Sequence, residues 1–284
     1  MRTLKFERPT PFTYATLIIV SAIALAPFVY MVSISLASGA TVDKAAFTLF
    51  PTEWNWSNLS DLFTTRLPVG RFMVNSLIIA TLSSIGMVLS STLVGYAFAR
   101  MRAPGKNFLF FVILATMMLP TQITMIPQFL MFREIGWVNT YLPLIVPNFF
   151  ASAYNVFLVR QFVSRLPGEL DEAAQIDGLG FFGIFRRIMV PMLFPIMVAV
   201  FIFTFTWNWG DFMHPLIYLS DQSDYPMALG VQYLVSTGES LQSPPWNTVM
   251  AGSLVMTVPM VVLYYLGQRY IYEMNLVGGS AGVK

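Results

Sequence analysis

The chain has 284 residues, 56% of them apolar and only 11% charged. That charged share is under half of the roughly 25% usual in soluble domains, so lipid has to be the solvent for much of it. A net charge of +2 gives no nucleic-acid signal, and one histidine with no cysteine leaves no disulfide framework, thiolate metal site or multi-histidine metal site.

A helix needs about 20 apolar residues to cross a bilayer. Six stretches qualify, at 12–36, 72–99, 107–131, 140–162, 187–208 and 247–268. The first contains Ala24-Leu25-Ala26, the small-x-small pattern of a signal cleavage site, but its apolar run continues through Pro27 to Met31. A retained helix is therefore expected there. Pro27, Pro120, Pro127, Pro147 and Pro259 fall within spans, where neighbours or water satisfy the carbonyls they free. No repeat of 20–50 residues is present. The expectation is an all-α polytopic membrane protein forming one transmembrane domain over 1–284.

Orientation follows from Lys and Arg in the short connections. One side collects Arg2, Lys5, Arg8, Arg100, Arg102, Lys106, Arg160, Arg165, Arg186, Arg187, Arg269 and Lys284; the other has Lys44, Arg66, Arg71 and Arg133. Twelve against four places both termini and the 163–187 loop in the cytoplasm of a bacterial-type inner membrane. The connection from Trp209 to Trp246 carries Asp211, Asp221, Asp224 and Glu239 without Lys or Arg, as an exported loop should. Its 220–246 stretch is long enough to touch an external protein.

The loop between the fourth and fifth spans is amphipathic and partly charged. Pro167 suits a first helical turn. Glu169, Asp171 and Glu172 add negative charge at the positive helix end, each worth roughly 0.3–1 kcal/mol. Ala173 and Ala174 are small enough for another surface to come close, and Gly178 suits a left-handed residue just past a helix end. A second short helix over about 181–187 would lead into the fifth span. Phe181, Phe182 and Phe185 are large apolar anchors suited to docking. A helix lying on lipid headgroups would show the same pattern.

The amides within the spans are Asn75, Gln122, Gln128, Asn148, Asn155 and Asn208. Each can join helices or line a pathway for a hydroxylated solute. Asn208 is flanked by Trp207 and Trp209, and Gln122 lies where Pro120 and Pro127 are expected to break the third span. The candidate lining set is Gln122, Asn155, Trp207, Asn208 and Asp211. Asp211 and His214 lie past the span end and read as a solvated loop pair. No nucleophile–base set and no G-x-x-x-x-G-K-[ST] loop is present, so no catalytic residue or cofactor is assigned. An ion-coupled carrier would place ionisable groups well inside its spans, and none is evident here.

Glu172, Ala173, Ala174, Asp177, Gly178, Phe185, Ile188, Pro191 and Pro195 together resemble the "EAA" loop of ABC-transporter permease subunits. Trp207-Asn208-Trp209-Gly210-Asp211-Phe212 with Pro215-Leu216 is similar to a segment of the carbohydrate-uptake permeases. So are Met118-Leu119-Pro120-Thr121-Gln122 through Ile126-Pro127, and Gln268-Arg269-Tyr270. The shorter, maltose-permease "G" type is the member it resembles. That resemblance implies a type I importer permease fold with six spans and a cytoplasmic coupling helix, working with a second, different permease, two ATP-binding cassette ATPases and an extracytoplasmic solute-binding protein. It implies that Glu172, Ala173, Ala174, Asp177, Gly178, Phe181, Phe182 and Phe185 meet the ATPase, which alone hydrolyses ATP, and that the cargo is a sugar or related polar solute. Ser236-Thr237-Gly238-Glu239 has some likeness to the glycerol-phosphate subgroup, which stays open, as does an ion-coupled carrier. Met274, where the family commonly has glycine, and the stretched tail from Gly278 to Lys284 depart from the pattern.

Overall fold

A computed structural model describes residues 10–39, 50–51, 53–64, 68–236 and 245–279, the last seven by backbone alone. Arg2, Lys5, Arg8, Lys44, Arg66, Glu239, the 237–244 segment and the tail from Ser280 to Lys284 lie outside the described residues. Among the described residues regular structure is helical, with an isolated antiparallel bridge between Ala37 and Trp54. Four of these helices are long and apolar enough to cross a membrane: Pro11–Ser35, Val69–Arg100, Leu142–Val163 and Trp246–Tyr272. Two bent pairs, Lys106–Thr116 with Thr121–Glu134 and Phe181–Met192 with Phe194–Trp209, bring the number to six when each counts as one span.

The bends have local causes. In the first pair the axis turns by 96°. Met117, Met118 and Leu119 close tight turns onto Leu114, Ala115 and Thr116, and Pro120, extended at ψ 133°, caps the next helix. The break thus precedes Gln122, and Pro127 sits inside Thr121–Glu134 without ending it, because the lost N–H is a single bond in a helix continued on both sides. In the second pair Phe181–Ile184 passes into a π turn, Phe185–Met189, then Val190–Met192, before a 73° bend into Phe194–Trp209. Pro191 and Pro195 have no N–H to continue an α ladder, and the wider turn stops just before the first of them.

The fourth span, around Pro147, is also interrupted. Leu142–Ile145 gives way to a 3₁₀ segment, Val146–Phe150, and Ala151 sits at φ 59°, ψ 163°. A residue with a Cβ held there costs on the order of 1–3 kcal/mol. Its N–H donates to Ser90 Oγ at 3.0 Å. Ser152 Oγ then accepts from the Asn155 N–H at 3.3 Å and restarts the helix as Ala153–Val163.

The chain divides into two compact units, Met1–Val69 with Val231–Thr257 and Gly70–Gly230 with Val258–Lys284. In the first, the helix Pro11–Ser35 buries only Ser33, Ile34 and Ser35. Asn58 Nδ2 donates to the Ser35 and Ala37 carbonyls at 2.9 and 2.8 Å, which fixes Ser57–Thr64 at that helix end. In the second unit, Val159, Met189, Leu193 and Ala199 centre a core onto which the 163–187 loop folds. Gly95 permits one close helix contact: a Cβ there would lie 2.7 Å from the Val159 side chain.

Candidate functional site

The loop helix forms over Glu169–Ile176 with Glu169, Asp171 and Glu172 in its first turn, as the charge pattern predicts. It begins after Gly168, one residue beyond Pro167. Its end is a Schellman cap. Gly178 lies at φ 82°, its N–H donates to the Gln175 carbonyl at 3.0 Å, and the Leu179 N–H reaches back to the Ala174 carbonyl at 3.0 Å. Ala174 and Leu179 both enter the core, supplying the apolar contact such caps carry.

This burial sorts the loop residues into two faces. Ala174 packs within the chain, so of the two alanines only Ala173 presents an open surface. Phe181 and Phe185 lie 5.3 and 5.2 Å from the Tyr96 ring, centroid to centroid. Both pack the loop against the helix Val69–Arg100, Phe185 half-buried and Phe181 still exposed on its other face. The exposed ridge consists of Glu172, Ala173, Ile176, Asp177 and Gly178, with Phe182 after it. Ile176 is 85% exposed and Phe182 66%, unusual for apolar side chains on a polar loop.

One side-chain cluster holds the loop in place, and nothing in the linear pattern announces it. Arg100 Nε pairs with Asp171 Oδ2 at 2.9 Å, and both side chains are mostly buried. Arg100 Nη2 also donates to the Leu166 and Pro167 carbonyls at 2.8 and 3.2 Å. The Tyr96 hydroxyl donates to Asp171 Oδ1 at 3.3 Å. A guanidinium presents a rigid fork of donors, so one Arg grips both the carboxylate and the chain leading into the helix. Tyr96, Arg100 and Asp171 line a groove of about 410 Å³ with Gln175, Leu179 and Phe181.

The candidate pathway residues do not converge. Gln122 is exposed on Thr121–Glu134, and Asn155 is buried, its Nδ2 donating to Ser152 Oγ at 2.9 Å. Trp207, Asn208 and Asp211 do meet, in a cleft of about 160 Å³ shared with Gln128, Asn148, His214 and Tyr218. Trp209 turns away and is buried, so the tryptophans flanking Asn208 are not a matched pair. Asp211 Oδ2 lies 2.7 Å from His214 Nδ1, with 16% and 27% of the two side chains exposed. The pairing is real, but it is partly buried in the cleft rather than solvated. Among the described residues no group of three or more His, Asp or Glu side chains could hold a metal ion.

The hydrogen bond to Asp211 raises the His214 pKa above 6.5, burial opposes that, and the carboxylate charge adds to it. The sign is that of a raised folded value: the pair's contribution is complete below the ordinary imidazole pKa and fades as pH rises through the raised one. Because the chain has a single histidine, NMR should show one imidazole titrating above 6.5. Asp211→Asn should move that midpoint down. An unchanged midpoint in Asp211→Asn would show that the carboxylate does not control the ring.

The sequence pattern of binding-protein-dependent transport system inner membrane components matches residues 91–273. The chain belongs to that family. This permease is 31% identical over 265 residues to the arabinooligosaccharides transport system permease protein of Halalkalibacterium halodurans, covering 93% of each chain. It is 32% identical over 265 residues to the sn-glycerol-3-phosphate transport system permease protein of Yersinia pestis, covering 91% of this chain and 93% of that one. The lactose transport system permease protein of Rhizobium radiobacter is 31% identical over 273 residues, 96% of this permease and 97% of the relative. In fold it is similar to a chain of a bacterial ABC transporter involved in the import of the acidic polysaccharide alginate. The TM-score is 0.80 at 21% identity over 91% of this chain and 95% of that one. The type I importer permease architecture is thereby established, and the family decides for a multi-pass inner-membrane permease over an ion-coupled carrier.

Asp171 in the permease loop, Tyr96 and Arg100 on the helix Val69–Arg100 that holds it, and Gln128, Asn148, His214 and Tyr218 in the cleft are outside the candidate site set. Arg100 and Asp171 are far apart in sequence, and no spacing rule links them. Tyr218 carries one cue, as a tyrosine inside the apolar helix Met213–Tyr218, where a buried hydroxyl needs a partner.

Proposed function

We propose that this permease, acting as one membrane domain, imports a sugar or related polar solute delivered by an external solute-binding protein. It pairs with a second, different permease and works with two ATP-binding cassette ATPases, docking through its 163–187 loop. ATP hydrolysis belongs to those partners, and the chain carries no reaction of its own. The observation that carries this reading is the exposed ridge Glu172–Gly178 with Phe182, held at a fixed angle by the Schellman cap and by Arg100. A membrane-surface helix needs no such fixed angle; a socket in another protein does. Glu172, Ala173, Asp177, Gly178 and Phe182 make the contact, and Ala174, Phe181 and Phe185 set its geometry. Trp207, Asn208 and Asp211 line the solute pathway at the cleft, and the isolated positions of Gln122 and Asn155 leave them as lining only where the second permease faces them. Pull-down of the tagged chain from its own cells is the test. Recovery without an ATPase or a second permease would refute the reading.

The sugar cargo rests on relatives named for arabinooligosaccharides and lactose. A glycerol-phosphate-type solute is the second reading, favoured by the Yersinia pestis relative.

Orientation is proposed from the charge bias, with both termini in the cytoplasm and Asp224 outside. The chain lacks cysteine, so single Ser223→Cys and Ser280→Cys variants report topology cleanly. In intact cells with a permeabilised outer membrane, an impermeant thiol reagent should label Ser223→Cys and spare Ser280→Cys. The opposite pattern would reverse the orientation.

A further inference from the structure

The short turn between Val69–Arg100 and Lys106–Thr116 carries positive charge that no carboxylate offsets. Among the described residues Arg71, Arg100 and Arg133 each face a carboxylate, while Arg102, Lys106 and Arg160 face none. Lys106 Nζ donates instead to the Met101 carbonyl at 2.8 Å, and the Arg160 guanidinium lies 3.8 Å over the Phe110 ring. Phe110 is one helical turn past Lys106 and on the same face, so all this charge gathers at one span end. Gly105, at φ 76°, turns the chain so that Arg102 and Lys106 border one open pocket of about 310 Å³. Asn107 and Phe108 also line it, and no Asp or Glu does. Beyond the pocket the helix surface turns apolar. Phe108, Leu109, Phe111 and Val112 are 68, 56, 67 and 42% exposed. At 1.5 Å per residue they cover roughly the first 9 Å past Lys106.

Two chemistries meet here, and together they select a ligand class. A soluble anion would satisfy the cations and leave the apolar strip bare. An apolar protein face would cover the strip and leave the cations unmatched. A phospholipid of net negative charge answers both, with its phosphate joined directly to hydrocarbon. The pocket volume, about 310 Å³, equals about ten waters at ~30 Å³ each, space for a phosphate with a glycerol-sized headgroup. We infer that this turn is a binding site for one anionic phospholipid. Its phosphate sits between Arg102 and Lys106, Asn107 donates to it, and its chains lie along Phe108 to Val112. Basic segments draw anionic lipid to a membrane surface in general; the pocket and the adjoining strip hold one molecule in place. The site adjoins the clamp on the 163–187 loop, because the Lys106 bond to the Met101 carbonyl ties the turn to the residue after Arg100. A seated lipid therefore steadies the turn from which Arg100 grips Asp171 and the Leu166 and Pro167 carbonyls. Resting on the permease reading above, coupling of ATP hydrolysis to uptake then depends on anionic lipid.

The test places the full chain, with its partners, in nanodiscs of phosphatidylcholine containing about a quarter phosphatidylglycerol, and native mass spectrometry reads the lipid it retains on release. The unaltered chain should keep phosphatidylglycerol in preference to phosphatidylcholine. Arg102→Gln combined with Lys106→Gln should lower that retention by about tenfold or more. The charge-keeping exchange, Arg102→Lys with Lys106→Arg, should preserve it. Arg269→Gln, which removes an exposed cation elsewhere, should leave it unchanged. Undiminished retention in the double Gln variant overturns the site, and an equal loss in Arg269→Gln overturns it in favour of diffuse surface charge. Excess inorganic phosphate or sn-glycerol 3-phosphate should fail to displace the lipid; displacement would make this a soluble-anion site and overturn the lipid. Phe108→Ser with Phe111→Ser should weaken lipid retention and leave the complex whole, whereas loss of the second permease would make this face a subunit contact and overturn the proposal. In proteoliposomes, solute imported per ATP should be higher with phosphatidylglycerol than with phosphatidylcholine alone, and that difference should vanish in the double Gln variant. A difference that persists there overturns the link to the clamp. Retention of phosphatidylglycerol by a chain that recruits no partners would refute the permease reading and leave the lipid site standing, which keeps the two apart.

Discussion

Gly178→Pro is expected to stop uptake while the protein still inserts in the membrane. The native φ of 82° is out of reach for proline, which is locked near −65°. The substitution also removes the N–H that bonds the Gln175 carbonyl. The Schellman cap then opens, and the helix Glu169–Ile176 loses its fixed angle to Phe181–Ile184. Uptake should fall by at least about tenfold, equivalent to ~1.4 kcal/mol. Glu172→Lys separates geometry from charge, since Glu172 is exposed and its side chain holds no hydrogen bond or ion pair among the described residues. Its folding should be unaffected and its coupling impaired. Normal uptake by both variants, with the ATPase still bound, would sink the coupling assignment.

Arg100→Gln should have a double effect. It removes the charge partner of Asp171 and the donor to two carbonyls in one step. Breaking a buried ion pair from one side costs about 3–5 kcal/mol. Because both side chains keep some solvent, the lower end of that range applies. Thermal unfolding in detergent should therefore start earlier, and the complex should hydrolyse ATP with little transport. Asp171→Asn should do less, because the carbonyl bonds remain. The Arg100→Asp, Asp171→Arg exchange should fail to restore coupling, since the carbonyls at Leu166 and Pro167 would then face an acid. Wild-type melting and uptake in Arg100→Gln would show that the cluster is dispensable.

Much of the helical framework was legible because the bilayer imposes it. A long apolar run without charge has one stable form in lipid, and the loop helix is bounded by local chemistry, acidic residues at its start and Gly178 at its end. Where the helices bend was less legible. Pro120 and Pro127 look alike in sequence, yet only the first follows residues already turned tightly enough to end a helix. The two faces of the loop are not separable in the sequence for a related reason. Ala174, Phe181 and Phe185 carry no mark of which way they point until Tyr96 and Arg100 arrive from another helix. Asp211 with His214 was visible as a pair at helical spacing, but its enclosure depends on Gln128 and Asn148 from two other stretches of chain, and on Tyr218 one turn further along the same helix as His214.

The π turn Phe185–Met189 contains one residue more than α geometry needs for the same path. That surplus is slack. Drawn into regular helix, it lets the joint between Ile184 and Val190 shorten or swivel by about one residue's rise, ~1.5 Å. No hydrogen bond in the Gly178 cap or in Phe194–Trp209 has to break. A spin-label pair at Phe182 and Phe203 in this cysteine-free chain should change its spacing between nucleotide-free and ATP-bound complexes, and an invariant spacing would mean the joint is rigid. A membrane conduit built this way can give at one seam while both of its neighbouring helices stay stiff, much as an expansion joint spares the girders on either side.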